Sequence, residues 1–282
     1  MKATVLIDNI TKNDLIAEWG LSIHIEYNGH QILLDAGTTG AFVENAKSLG
    51  IDLEEVELGV LSHAHYDHAD GMDTFFEVNK NAPFYLRAES DSACIDLAKM
   101  ENCYDYDKEH PEAVRYIGIK KGMLETYADR IRFVEGDVEV LPGVYLIPHK
   151  TAGLEKIGEK AHMYVQKDGV YIPDDYSHEQ SLVFETEKGL VIFNSCSHGG
   201  ADNIICEMEQ TFPDKKMYAI IGGFHLYKSS EEEVRALAGR IKATGIEKVV
   251  TGHCTGDVAY QILEEELGDC LEQIYTGLVM EF

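Results

Sequence analysis

The chain has 282 residues, 45% of them hydrophobic, enough apolar material for one large or two small domains with a buried core. Its 50 acidic against 24 basic residues leave a formal net charge of −26, which repels phosphate backbones and anionic lipid surfaces at long range and disfavours a nucleic-acid partner. The first residues enter a strand-like stretch instead of an export leader, no apolar run is long enough for a membrane span, and the six cysteines show no Cys-x-x-Cys spacing, so the expected setting is the reducing cytoplasm.

Residues 2–8 read as a strand. After a polar loop, the alternating Leu21-Ser22-Ile23-His24-Ile25-Glu26-Tyr27 meets residues 31–35 across Asn28-Gly29, a dipeptide suited to a two-residue hairpin turn. His24 and His30 then belong to the sheet face and the turn. Thr38 or Thr39 caps a helix over residues 41–49, which Gly50 ends. The short apolar run over residues 56–62 is a buried strand that delivers His63-Ala64-His65-Tyr66-Asp67-His68 at its carboxyl end, where open α/β folds place ligands. Three imidazoles and a carboxylate in six residues exceed what packing or solubility requires, and these donors bind zinc, iron or manganese. Asp70 and Asp73, just beyond, are read as helix-start or supporting carboxylates.

A strand over residues 84–87 and a helix over 90–100 lead into an acidic, tyrosine-rich tract, read as a lid or surface insertion around residues 101–125. Short strands follow near residues 116–119, 131–135 and 144–147. His149 and His162 are polar candidates without supporting context, and His110 before Pro111 is expected to be exposed. The second half then repeats one theme. A hairpin (181–186 and 189–194) enters the Cys196/His198 loop and a helix over 201–210; a strand over 217–221 precedes Gly222-Gly223-Phe224-His225; after a helix over 231–243, a strand over 248–251 precedes His253 and a helix over 255–266. Strand, loop and helix in alternation indicate α/β layering. With no linker or short repeat in view, residues 1–282 are expected to form a single domain.

His-x-His-x-Asp-His after an apolar strand resembles the signature of the metallo-β-lactamase superfamily. Glu18-Trp19-Gly20-Leu21-Ser22, Leu33-Leu34-Asp35-Ala36-Gly37, Asn194-Ser195-Cys196-Ser197-His198-Gly199-Gly200, Gly222-Gly223-Phe224-His225-Leu226 and Gly252-His253-Cys254-Thr255-Gly256 are similar, in that order, to one subgroup. That subgroup is the metal-dependent hydrolases related to the archaeal 7,8-dihydropterin-6-methyl-4-(β-D-ribofuranosyl)-aminobenzene-5′-phosphate synthase. The resemblance implies a four-layer αββα sandwich with a one- or two-metal site at its edge. It implies His63, His65 and His198 for the first metal and Asp67, His68 and His253 for the second. The middle motifs depart from the wider pattern: Gly-His-Thr-x-Gly is missing, and Cys196 or His198 stands where a bridging Asp would end a strand, which predicts a second ion that is weakly held or absent. His178 ranks below His198 as a ligand, with Glu179 beside it as a further pocket residue. Cys196 is expected to line the pocket, and Asp35 resembles the carboxylate that orients a ligand histidine.

The expected function is that of a metal-dependent hydrolase or transferase acting through a metal-bound hydroxide on a small, phosphorylated substrate. Asp67 holds or accepts the nucleophile's proton, and His225, after two glycines that let backbone approach a ligand, stabilises developing charge. Two zinc ions are the expected cofactor, with manganese or iron as alternatives. A di-iron oxidoreductase and a non-catalytic, metal-dependent ligand-binding module are the competing readings; neither nucleic acid nor membrane is an expected partner, and the oligomeric state stays open.

Overall fold

The computed structural model describes residues 1–91, 93–96 and 115–282. Its strands form two seven-stranded sheets. The first runs Val279–Glu281 (β18), Lys2–Ile7 (β1), Ser22–Tyr27 (β2), His30–Leu34 (β3), Leu58–Val60 (β4), Phe84–Arg87 (β5) and Ile131–Val134 (β8). The second runs Leu271–Gln273 (β17), Lys248–Thr251 (β16), Met217–Ile221 (β15), Gly189–Phe193 (β14), Gln180–Thr186 (β13), Val144–Pro148 (β10) and Val138–Leu141 (β9). A smaller sheet joins Val170–Pro173 (β12), Met163–Lys167 (β11), Ala93–Asp96 (β6) and Arg115–Tyr116 (β7).

Two-residue alternation decides which side chains meet. Leu182 and Phe184 of β13 and Val191 and Phe193 of β14 face Ile23, Ile25, Ile32 and Leu34 of the first sheet in one buried core. Their neighbours Val183, Leu190 and Ile192 point the other way, into a core beneath Ala201–Thr211 (α6), Glu231–Thr244 (α7) and Asp257–Leu267 (α8). On the far side of the first sheet, Leu33 and Phe84 pack under Ala41–Ser48 (α1), Tyr66–Ala69 (α2) and Met72–Val78 (α3), with Met123–Thr126 (α4) and Glu155–Ala161 (α5) alongside. The layers are therefore helix, sheet, sheet, helix, as the motif resemblance implied. Strands β3, β4, β5 and β8 run parallel, as do β14, β15, β16 and β17, so the carboxyl ends of β4, β14, β15 and β16 carry the histidine loops.

The Asn28-Gly29 hairpin forms as expected, with both residues at positive φ. Other expectations need correction. Over the expected helix 90–100, the described residues form a 3-10 turn, Ala88–Asp91, and then β6, whose pairing with β11 and β7 overrides a weak helical pattern; residues 97–100 lie outside the described ones. Helix α1 has Gly40 at its N-cap, while the Thr39 hydroxyl accepts the Ala41 N–H. Of the expected lid, residues 101–114, His110 among them, lie outside the described residues. Residues 115–125 dock on the motif helix: Tyr66 N–H donates to Ile117 O and Lys120 N–H to Asp70 Oδ1. The expected helix 255–266 begins as a 3-10 turn over His253–Thr255. No helix among the described residues is long and apolar enough to cross a membrane.

Helix α7 opens with a capping box, Ser230 Oγ accepting the Glu233 N–H while the Glu233 carboxylate accepts the Ser230 N–H. Ser230→Ala is expected to lower stability by about 1 kcal/mol, read from the urea midpoint, without altering metal content.

Candidate metal centre

Three histidines of the cluster, His63, His68 and His253, are oriented by the partner of their outer nitrogen. Asp35 sits in the β3–α1 loop, where Oδ1 accepts the Ser62 N–H (2.7 Å) and Oδ2 accepts both the Ser62 hydroxyl (2.7 Å) and His68 Nδ1–H (2.7 Å). Because the Ser62 hydrogen is committed to Asp35, its oxygen is left to accept from His63 Nδ1–H at 2.8 Å. Asn9 does the same for His253: its Nδ2 donates to His253 O (3.1 Å), so its Oδ1 faces His253 Nδ1 (3.0 Å). In His63, His68 and His253 the inner Nε2 is thus the nitrogen without a proton in the neutral ring.

These inner nitrogens converge. His68 Nε2 lies 3.1 Å from His253 Nε2 and 3.2 Å from Cys196 Sγ, and Asp67 Oδ2 lies 3.5 Å from His253 Nε2 and 3.8 Å from His68 Nε2. Beside them His63, His65 and His198 turn toward one another, with ring centroids 4.6 to 5.0 Å apart. His63 Nε2, His65 Nε2 and both nitrogens of His198 are buried with no hydrogen-bond partner. Two sets of donor atoms, His63/His65/His198 and Asp67/His68/His253, each fit within 4.8 Å, as does His63/His68/Cys196. Orphaned buried nitrogens and facing lone pairs are what a bound divalent metal would satisfy, so the residues fit such an ion.

Electrostatics divide the two sets. Burial, reinforced by neighbouring imidazoles, pushes His63 and His198 well below the usual histidine range, and burial takes His65 to about 3; all three rings stay neutral. Burial alone would raise Asp67, but His68 and His253 outweigh it and hold the carboxyl below its ordinary range. His253 is pushed up to about 9, Cys254 and Asp67 outweighing its burial, so this corner collects positive charge.

The remaining expected site residues fall around this core. His178 spends both nitrogens on structure: Nδ1 accepts the Ala64 N–H (3.1 Å) and Nε2 meets Asp174 Oδ2 (3.0 Å). Glu179 Oε2 accepts the His198 N–H (3.0 Å). Cys196 Sγ sits among the donors and 3.4 Å from Cys254 Sγ, closer to a ligand's place than to a mere lining one. His225 rests against His198 (centroids 4.4 Å apart), with its Nδ1 buried and unpartnered. Its two preceding glycines serve a purpose other than ligand approach, since a Cβ on Gly222 would meet Asn194 O at 1.8 Å and one on Gly223 would meet Cys254 Sγ at 2.5 Å. Asp70 and Asp73 are engaged with Lys120, and His24 and His30 with Gln31 and Glu57, as expected for residues outside the centre. His162 ends α5 in the left-handed region.

Sequence reading missed Asn9, Ser62, Tyr176 and Glu207, and named His149 as a polar candidate without finding its context. Tyr176 stacks on His198 (5.0 Å, 11°), and His149 lies between Glu179 (2.8 Å) and Glu207 (3.1 Å), which outweigh its burial and push it up to about 10. One backbone signal marks the region: of the eight non-glycine residues at positive φ among the described residues, Asp35, Tyr176, Ser197, His225 and His253 all lie at or beside the donors.

A cavity of 280 Å³ opens onto this centre, lined by His65, Asp67, Cys196, His198, His225 and Cys254, and toward solvent by Trp19, Tyr66, Asp96, Arg115 and Tyr227. A larger hollow of 460 Å³ lies between Met1, Phe282 and the Asn28-Gly29 turn, but no donor cluster among the described residues borders it, and the chemistry locates the site at the smaller one.

Comparison with known proteins agrees with the motif reading. The family model of the metallo-beta-lactamase superfamily matches residues 20–144. A 7,8-dihydropterin-6-methyl-4-(beta-D-ribofuranosyl)-aminobenzene-5'-phosphate synthase of Methanocaldococcus jannaschii is 29% identical over 276 residues, covering 94% of this chain and 90% of its own. An uncharacterized protein of the same organism is 28% identical over 252 residues, covering 89% and 90%. Among solved structures, a metal-dependent hydrolase of the beta-lactamase superfamily superposes with a TM-score of 0.83 at 29% identity, covering 100% of this chain and 99% of the other.

Proposed function

We propose that this chain, which has the metallo-β-lactamase fold, is a metal-dependent hydrolase or transferase acting on a small phosphorylated substrate. The observation that carries the reading is the 3.1 Å approach of His68 Nε2 to His253 Nε2, with each ring's other nitrogen committed to an acceptor. Two ring nitrogens that face each other inside a protein repel unless a cation, a proton or a metal ion, lies between them, and the upward push on His253 marks the same demand for positive charge. Asp67, His68 and His253 would hold one ion and His63, His65 and His198 a second. Cys196 Sγ, 3.2 Å from His68 Nε2 and grouped with His63 and His68, would add a thiolate donor between the two sets. Imidazole with one thiolate favours zinc over manganese. The three-histidine set would offer three donors, the count of a site that keeps room for water or substrate.

A divalent metal held there supplies Lewis acidity and makes water a nucleophile near neutral pH. The chain's own groups do the rest. Asp67, ionised and at the cavity wall, is placed to accept a hydrogen bond that holds the nucleophile's proton, and His225 offers an unpartnered ring nitrogen for developing negative charge. Arg115, at the same wall with its guanidinium against Tyr66 (Nη2 to Oη 2.9 Å), is a phosphate anchor in a chain otherwise dominated by acid. The relative from Methanocaldococcus jannaschii bears the name of a synthase with a phosphate-bearing product, which is why transfer stands beside hydrolysis here. The unbridged Cys196 and Cys254 thiols, 3.4 Å apart, suit a reducing cytoplasm.

Protein purified without added metal is expected to carry two equivalents per chain by elemental analysis and to turn over phosphomonoester or phosphodiester probes. Chelation is expected to abolish that turnover. Turnover that persists with no metal bound would sink the proposal, and bound metal without turnover on any probe would favour the binding-module alternative.

A further inference from the structure

We propose that Glu207, His149 and Glu179 form a buried positioning unit that sets His198 toward the metal centre. The unit crosses three elements: Glu207 lies on α6, His149 follows β10 and Glu179 precedes β13. His149 Nε2 meets Glu179 Oε1 at 2.8 Å, and its Nδ1 meets Glu207 Oε2 at 3.1 Å. Ionised carboxylates only accept, so both ring nitrogens donate and the imidazole is fixed in position and rotation. The outer ends are also committed: Glu207 Oε1 accepts the Lys150 N–H (3.0 Å) and Thr151 N–H (2.8 Å), while Glu179 Oε2 accepts the His198 N–H (3.0 Å).

What this fixes is the backbone from which His198 projects. Gly199 packs so closely on His149 that a Cβ there would lie 2.4 Å from the ring. Tyr176 covers one face of the His198 ring, and neither nitrogen of that ring bonds to protein. His63 and His68 are oriented through their own Nδ1 by Ser62 and Asp35; His198 has no such partner and is oriented from its main chain. A buried Glu–His–Glu chain is costly to assemble unless fully bonded, and it ends on a loop holding one of the three imidazoles of the proposed His63/His65/His198 site.

This inference rests on the proposed role of His198 as a ligand, so His198→Ala is the reference. Cobalt(II) titration, followed by d–d absorption, reads the two sites of the folded full chain separately. His198→Ala is expected to lose the three-histidine site. Glu179→Gln cannot accept from both His149 and the His198 N–H, and is expected to lower cobalt affinity at that site about 10–100-fold, leaving the Asp67/His68/His253 site unaltered. Glu207→Gln keeps an acceptor for Lys150 and Thr151 and turns its amide to His149, so a smaller loss is expected. A general loss of stability would weaken both sites alike and would count against positioning. If Glu179→Gln does not fold, Glu179→Asp, which keeps the charge but shortens the reach, decides in the same way. Retention of both sites in His198→Ala overturns the ligand reading itself. Loss of one site in His198→Ala with wild-type affinity and spectrum in the Glu179 variant overturns the positioning unit alone.

Discussion

His63→Ala is expected to yield a folded protein that holds at most one metal equivalent and has lost more activity than the roughly 100-fold that removing an outer hydrogen-bond partner costs. The expectation follows from where the ring sits. His63 belongs to both compact donor sets, one with His65 and His198 and one with His68 and Cys196, and its centroid lies 4.6 Å from His65, 4.3 Å from His68 and 5.0 Å from His198. Its Nε2 has no protein partner, so truncation removes a metal donor while breaking just the one hydrogen bond to Ser62. The far-ultraviolet circular dichroism spectrum should therefore stay native, while elemental analysis and turnover both fall. Full metal content with full activity would remove His63 from the centre and with it the present assignment of roles.

Legibility in the sequence followed the range of the interactions involved. The Asn28-Gly29 hairpin, the β13–β14 hairpin and the strand-to-loop delivery of the histidines are set by contacts between near neighbours, and patterns of two and of turn residues expose them. β6 was hidden because its hydrogen bonds run to β11, about seventy residues on, and nothing local in Ala93–Asp96 announces a strand. The orienting groups divide in the same way. Asp35 was visible through a motif, whereas Asn9 reaches His253 across 244 positions and His149 reaches Glu207 across 58, and each is an ordinary polar residue in its own neighbourhood. His178 shows the converse. Its place before a strand suggested a ligand, but the fold uses its ring to hold the Ala64 N–H, a role that exists only once β13 lies beside the motif loop.

Replacing Asp35 by Ala is expected to cost about 3–5 kcal/mol, the scale for removing one partner from a buried charged network. Its two oxygens accept from the Ser62 N–H, the Ser62 hydroxyl and His68 Nδ1–H, each at 2.7 Å and none exposed to water, so all three donors would be stranded. Urea denaturation of metal-free protein measures that loss, and metal titration a second one of about 10–100-fold, because His68 is then free to change tautomer. Asp35→Asn separates the two effects. An amide that keeps its oxygen on the Ser62 N–H presents its NH2 to Ser62 Oγ and to His68 Nδ1, filling the space and recovering part of the stability. The same NH2 compels His68 to accept at Nδ1 and carry its proton on Nε2, the atom that faces His253 and Cys196. The asparagine variant should therefore be more stable than the alanine variant yet bind metal as poorly. Wild-type metal affinity in Asp35→Asn would mean that the tautomer of His68 does not govern the centre, and that Asp35 acts on the fold alone.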